Sequence, residues 1–238
     1  MDPQNITSST NPKTLASQAQ GILRNEILSG HLLPGERLRT KDLQARYGVG
    51  LSPLRESLQR LSTEGLVVLD EQRGFAVAPI SLSELKDVTV ARVALESAML
   101  PLAIELGDAD WEGDVVAAFH RLSRTHLPTG ADDDKSEWES RHRAFHNALL
   151  SACGSAWLLR IHGQLVDQTE RYRKIRMKHY AKSTSGARDV NAEHQVLMDA
   201  VLQRDTGRAV TLMREHLEAT YLATASWMQT LPTMELTS

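Results

Sequence analysis

Thr40-Lys41-Asp42-Leu43-Gln44-Ala45-Arg46-Tyr47-Gly48-Val49-Gly50-Leu51-Ser52-Pro53-Leu54-Arg55-Glu56-Ser57-Leu58-Gln59-Arg60-Leu61 decides the fold of the N-terminal third. Thr40 reads as the N-cap of a short helix over Lys41 to Tyr47. Gly48-Val49-Gly50 is too short and too glycine-rich for anything but a tight turn. Ser52 reads as the cap of a second helix, with Pro53 in its first turn and Glu56 four residues on. Leu54, Leu58 and Leu61 line one face of that helix, and Gly65 ends it.

Upstream, Ala16, Ala19, Ile22, Leu23 and Ile27 recur at helical spacing between Leu15 and Leu28. Ser29-Gly30 stops that helix, and Leu33-Pro34-Gly35-Glu36 makes a turn. Downstream, Leu66-Val67-Val68-Leu69 and Phe75-Ala76-Val77-Ala78 flank a polar turn at Asp70 to Arg73, the pattern of a β-hairpin. Helix, helix-turn-helix and hairpin in this order predict a winged helix-turn-helix over residues 14–78. Residues 1–13, with Pro3 and Pro12 among Ser, Thr and Asn, read as a disordered arm.

The formal net charge of −3 conceals an asymmetry. Residues 31–60 carry six basic side chains (Arg37, Arg39, Lys41, Arg46, Arg55 and Arg60) against three acidic ones. Residues 81–238 carry eighteen basic against twenty-two acidic. The basic cluster therefore coincides with the helix-turn-helix. A recognition helix projects cationic side chains into the major groove, where Arg55 and Arg60 would sit. Arg37 and Arg39 precede the first helix of the motif, and Arg73, at the wing tip, can enter a minor groove.

Beyond Pro79 the hairpin signals vanish. Helices are expected at about 81–107, 110–127, 134–151, 155–180, 187–204 and 205–228, with breaks at Gly107-Asp108, Pro128-Thr129-Gly130, Gly154 and Ser183 to Gly186. The fold class is mainly α: a winged domain followed by an all-α bundle of about six helices over 79–238. Asp132-Asp133-Asp134 reads as a solvated charge run before a helix. The single cysteine, Cys153, excludes an intrachain disulfide framework and a cysteine-based zinc site. No apolar run approaches the roughly 20 residues of a membrane helix, and the polar start lacks a signal peptide, so a cytoplasmic protein is expected.

The N-terminal third resembles the GntR family of bacterial regulators. The resemblance rests on Leu33-Pro34-Gly35-Glu36-Arg37-Leu38, Tyr47-Gly48-Val49, Ser52 to Leu58, Glu64-Gly65-Leu66-Val67 and Arg73-Gly74. By that resemblance Arg37, Arg55 and the Arg73-Gly74 wing match positions that contact DNA. Many members carry an arginine where this chain has Leu51, which can touch a thymine methyl but cannot donate to guanine. The remainder is similar to the helical effector domain of the FadR subfamily, through Arg92-Val93-Ala94-Leu95-Glu96, Phe145-His146, Glu193-His194 and His216. Trp138 to His146 and Met213 to Leu217 are similar to a glutarate-responsive repressor of that subfamily.

His142 and His146, at i and i+4, share one helix face and can grip a single metal ion. His194 and His216 come from two further helices. The resemblance implies that His146, His194 and His216 are metal ligands, with a divalent ion such as zinc, nickel or another transition metal as cofactor. The subfamily has aspartate where this chain has His142. Either the site has four imidazoles and no protein negative charge, or the metal is lost and the histidines bind an anion directly. Both versions suit a small carboxylate effector, a glutarate-like dicarboxylate above all, with Arg92 pairing the far carboxylate. Arg92 can instead pair with Glu96 one turn on. Arg173 is a second candidate ligand arginine.

The expected function is a ligand-responsive repressor that binds operator DNA as a homodimer. The rivals are a metalloenzyme and an architectural DNA-binding protein. Against the enzyme, His142 is followed by Arg143, so no His-Glu-x-x-His motif is present.

Overall fold

The computed structural model describes residues 14–70, 72, 74–126, 135–179 and 188–230. The expected arm, Arg73, Asp132-Asp133-Asp134 and the breaks at 128–130 and 183–186 lie outside these residues.

Helix α1 spans Leu15–Leu28, and its first turn is closed by the Thr14 hydroxyl, which accepts from the Ser17 backbone N–H at 3.2 Å. Helix α2 spans Thr40–Tyr47 and α3 spans Leu51–Thr63. Two expected caps are corrected here. Thr40 is already helical, with Arg39 at the cap position, and Ser52 lies within the first turn of α3. Gly50 holds the cap of α3 in extended backbone, and its carbonyl accepts the Leu54 N–H at 3.1 Å. The turn between them depends on Gly48, whose φ of 65° is left-handed and favours a residue without a Cβ.

Strands β1 (Val67–Asp70) and β2 (Gly74–Val77) pair antiparallel, each shifted by one residue at both ends toward the turn from the expected runs Leu66–Leu69 and Phe75–Ala78, with Val67 opposite Val77 and Asp70 opposite Gly74. The segment read as a simple turn also joins this wing. Arg37 bridges to Ala76, and the Leu38 N–H donates to the Phe75 carbonyl at 2.8 Å. Leu23, Ile27, Leu54, Leu58, Leu61, Leu66 and Val77 form the core beneath.

Among the described residues six helices follow: α4 (Leu82–Leu106), α5 (Ala109–Ser123), α6 (Lys135–Leu150), α7 (Ala156–His179), α8 (Val190–Leu202) and α9 (Thr206–Met228). Aliphatic and aromatic side chains from α4, α5, α6, α8 and α9 bury a continuous core that includes Met99, Trp111, Val115, Phe145, Leu149, Leu197 and Met213. The break between α4 and α5 has a packing reason. A Cβ on Gly107 would stand 2.1 Å from the Trp111 ring.

The two layers meet along α7. Arg171 donates to the carbonyls of Ala78 (2.9 Å) and Pro79 (3.1 Å), and Gln168 donates to the Glu64 carbonyl at 2.8 Å. Arg24 of α1 ion-pairs with both Glu64, at the C-cap of α3, and the buried Asp167 of α7.

Candidate metal centre and nucleic-acid interface

On the winged side, Arg37, Arg39, Lys41, Arg55 and Gln59 line a groove of about 540 Å³ with Leu69, Gly74 and Phe75. The helical period explains the gathering. Burying Leu54, Leu58 and Leu61 turns Arg55 and Gln59, one turn apart, to the outer face of α3. Among the described residues no carboxylate pairs with Arg37, Arg39, Lys41 or Arg55, so the groove presents uncompensated positive charge. Gly74, at φ 79°, starts the returning strand of the wing. Ser52 and Leu51 are exposed in the first turn of α3. Arg60 does not line the groove: it pairs with Glu56 at 2.6 Å and donates to the Ser17 hydroxyl at 3.3 Å.

In the helical layer, α6, α8 and α9 bring His142, His146, His194 and His216 together. One ring nitrogen from each lies within 4.8 Å of the others, and all four side chains are buried. His142 and His146 have ring centroids 4.6 Å apart, as do His194 and His216. Five of the ring nitrogens (Nδ1 of His142 and both nitrogens of His146 and His194) are buried without a hydrogen-bond partner. An unsatisfied buried polar atom costs about 1–3 kcal/mol. Five would cost on the order of 10 kcal/mol, comparable to the whole stability of a typical domain.

Coordination removes part of this cost, because one nitrogen of each ring then has a partner. Burial holds all four imidazoles neutral, the ligating form, with the Arg173 charge adding to the effect at His142. His194 is held at about 2 by burial and then by His216. His216 Nδ1 donates to Glu193 at 2.9 Å, which leaves its Nε2 lone pair for an ion and fixes the tautomer. Burial alone would raise the Glu193 carboxyl, but His216 and Arg188 hold it at about 2. Trp138, one turn before His142, stacks on that ring with centroids 4.7 Å apart. Four neutral nitrogens fit a transition ion such as zinc better than a hard cation that seeks oxygen. The residues present can hold a metal ion.

The two candidate ligand arginines are both buried and both committed. Arg92 pairs with Glu96 and donates to the Thr169 hydroxyl at 2.9 Å, the alternative the spacing left open. Glu96 also meets His162 Nε2 at 3.2 Å, and Arg92 and His162 hold its carboxyl at about 2 against the opposing effect of burial. Arg173 makes a two-pronged pair with Glu139, at 2.7 and 2.6 Å. The sequence reading missed Arg188, which grips Glu193 at 2.6 and 2.7 Å and reaches the His216 carbonyl at 3.1 Å. It also missed Arg143, beside His142 on α6, which pairs with Asp167 at 2.6 Å and Glu170 at 3.0 Å. The partners of Arg143 lie on another helix, and although Glu193 is only five residues beyond Arg188, the pair gains its meaning from His216 on α9, which neither residue announces.

Family models match both layers: the bacterial regulatory proteins of the gntR family over residues 15–77, and the FCD domain over residues 87–219. The chain is 42% identical to the HTH-type transcriptional repressor GlaR of Escherichia coli K12 over 82% of its length and 89% of that protein's. It is 40% identical to the HTH-type transcriptional regulator BphR of Paraburkholderia xenovorans, over 88% of this chain and 84% of the other. Among solved structures, E. coli McbR/YncC superposes with a TM-score of 0.75 at 19% identity, covering 90% of this chain and 99% of that one. A GntR regulator from Rhodococcus gives 0.70 at 21%, covering 91% and 99%. These two speak to the fold. The relatives and domains are those of transcription regulators and not of enzymes, and the chain belongs to the GntR family, with a C-terminal FCD domain.

Proposed function

We propose that this regulator is a repressor whose helical domain binds a divalent metal and, through it, a small dicarboxylate of the glutarate type that releases operator DNA. The carrying observation is the buried four-histidine cluster with five unpartnered nitrogens, facing a bundle joined to the DNA-reading layer by ion pairs. The 42% identity with the repressor GlaR supports the direction of control.

His142, His146, His194 and His216 are the proposed ligands. A bound transition ion supplies a Lewis-acidic centre that accepts a carboxylate oxygen. The chain's own residues do the rest. Glu193 orients His216, and Trp138 packs the face of His142. Arg173 and Arg92, each paired with its own carboxylate, oppose protonation of the histidines and so favour their ligating form. Arg92 can serve a far carboxylate only by giving up Glu96.

The signal has a continuous physical route. Arg143 adjoins His142 on α6 and holds Asp167, Asp167 holds Arg24 on α1, and Arg24 holds Glu64 at the end of the recognition helix α3. A shift of α6 on ligand binding alters this chain of pairs and reorients α3. Operator half-sites call for two such layers. The second is supplied by another copy of the chain through the apolar face of α4 and α7. There Val90, Ala94, Ala98, Leu102 and Leu106 recur every fourth residue, exposed, beside exposed Trp157 and Ile161.

The test is a gel shift on operator DNA with zinc-loaded and chelated protein, with and without glutarate. Release by glutarate only when metal is present is expected. Operator binding that ignores metal and every dicarboxylate would overturn the sensor reading.

A further inference from the structure

One leucine of α3 stands apart from the others. Leu54, Leu58 and Leu61 are fully buried, while Leu51, the first residue of the helix, is 46% exposed. Leu51 does not join the core beneath the wing, so its side chain gains little stability from folding where it stands.

The helical period puts Leu51 in line with Arg55, one turn on, and Gln59, two turns on. Arg55 and Gln59 face the basic groove with Arg37, Arg39 and Lys41. Glu56 and Arg60, on the flank of the helix, pair with each other at 2.6 Å and stand outside that row. The outward row of α3 therefore opens with an apolar side chain and continues with two that form hydrogen bonds.

A recognition helix contacts base edges with its N-terminal residues. In the major groove those edges present hydrogen-bonding groups and one apolar group, the C5-methyl of thymine. Leucine has no donor and no acceptor. Against a polar edge it strips water without replacing the lost bond, whereas against a methyl it buries apolar surface. Ser52, exposed beside it, can bond to any base and does not discriminate. Four residues of helix rise about 6 Å, roughly two base-pair steps.

We infer that Leu51 is a specificity-determining residue of the operator-reading surface. Its side chain packs on the C5-methyl of a thymine lying within about two base pairs of the base that Arg55 contacts. Each operator half-site then carries this thymine at a fixed distance from the base read by Arg55.

The test uses full-length protein and duplexes that the wild type enriches from a random library, remade with uracil replacing one thymine at a time. Uracil pairs as thymine does and lacks only the methyl. At one thymine per half-site, uracil should weaken wild-type binding about fourfold, the worth of one buried methyl. Leu51→Ala should bind the thymine and uracil duplexes equally at that position. Leu51→Met, which restores apolar reach, should keep part of the difference. Other thymines should respond alike in all three proteins. A wild type indifferent to uracil at every position, or one that enriches no sequence, would overturn the assignment. So would Leu51→Ala with the wild-type penalty intact, because another residue then reads the methyl. Leu51→Ala that binds neither duplex would overturn it as well, by showing a structural role.

Discussion

Arg24 of the winged layer forms an ion pair with Asp167, a buried carboxylate of α7 that also receives Arg143 from the helix bearing His142 and His146. One carboxylate thus serves both the DNA-reading layer and the helix that carries His142 and His146. Arg24→Ala should leave operator affinity within a few-fold of wild type while sharply reducing release by effector. A coupling energy of about 1–3 kcal/mol between sites corresponds to roughly 5- to 150-fold in affinity. Fluorescence anisotropy on operator DNA, with and without glutarate, measures that ratio. Full release by effector in Arg24→Ala would remove this route.

Arg55 lies in the basic groove without a carboxylate partner among the described residues. Arg55→Ala should weaken operator binding by about 1–3 kcal/mol, as expected for loss of a base-edge contact, and leave effector affinity unchanged. Arg60, held by Glu56 and Ser17 outside the groove, should matter less when replaced by alanine. Operator titrations of the two variants decide the order.

His194 is fully buried in the cluster, with both nitrogens unpartnered. His194→Ala should lower bound metal per chain and abolish the effector response while sparing operator binding. Elemental analysis and a gel shift read the two effects separately. Metal removal from wild type should lower its Tm, because an ion present at 100 times its Kd stabilises the folded state by about 2.7 kcal/mol.

The buried imidazoles also set a pH dependence for the metal-free protein. Their folded-state affinities for protons are depressed by burial, His194 to about 2 against an ordinary value of 6.5. The unfolded chain therefore binds more protons below about pH 6.5, and stability falls as the pH drops through that value. Each proton taken up only on unfolding costs about 1.4 kcal/mol per pH unit. Thermal melts of the chelated protein between pH 7.5 and 5 should show a falling Tm, and His194→Ala should flatten the slope.

Much of this protein is written locally in its sequence. The period of Leu54, Leu58 and Leu61 predicts α3 and its outward Arg55, since a helix that buries one face must expose the other. The spacing of His142 and His146 places two rings on one face for the same reason. The caps were harder. Ser52 looks like an N-cap by residue type, but Gly50 takes that place, because the choice depends on where the glycine turn releases the chain.

Tertiary structure decided the rest, because ion pairing depends on distances that no spacing encodes. The convergence of His194 and His216 on α6 depends on how three helices pack. The sequence allowed Arg92 to be a ligand arginine or the partner of Glu96, and the fold ties it to Glu96. Arg176 lies one turn from Arg173 on the same helix, yet only the fold decides that the two-pronged pair with Glu139 of α6 goes to Arg173.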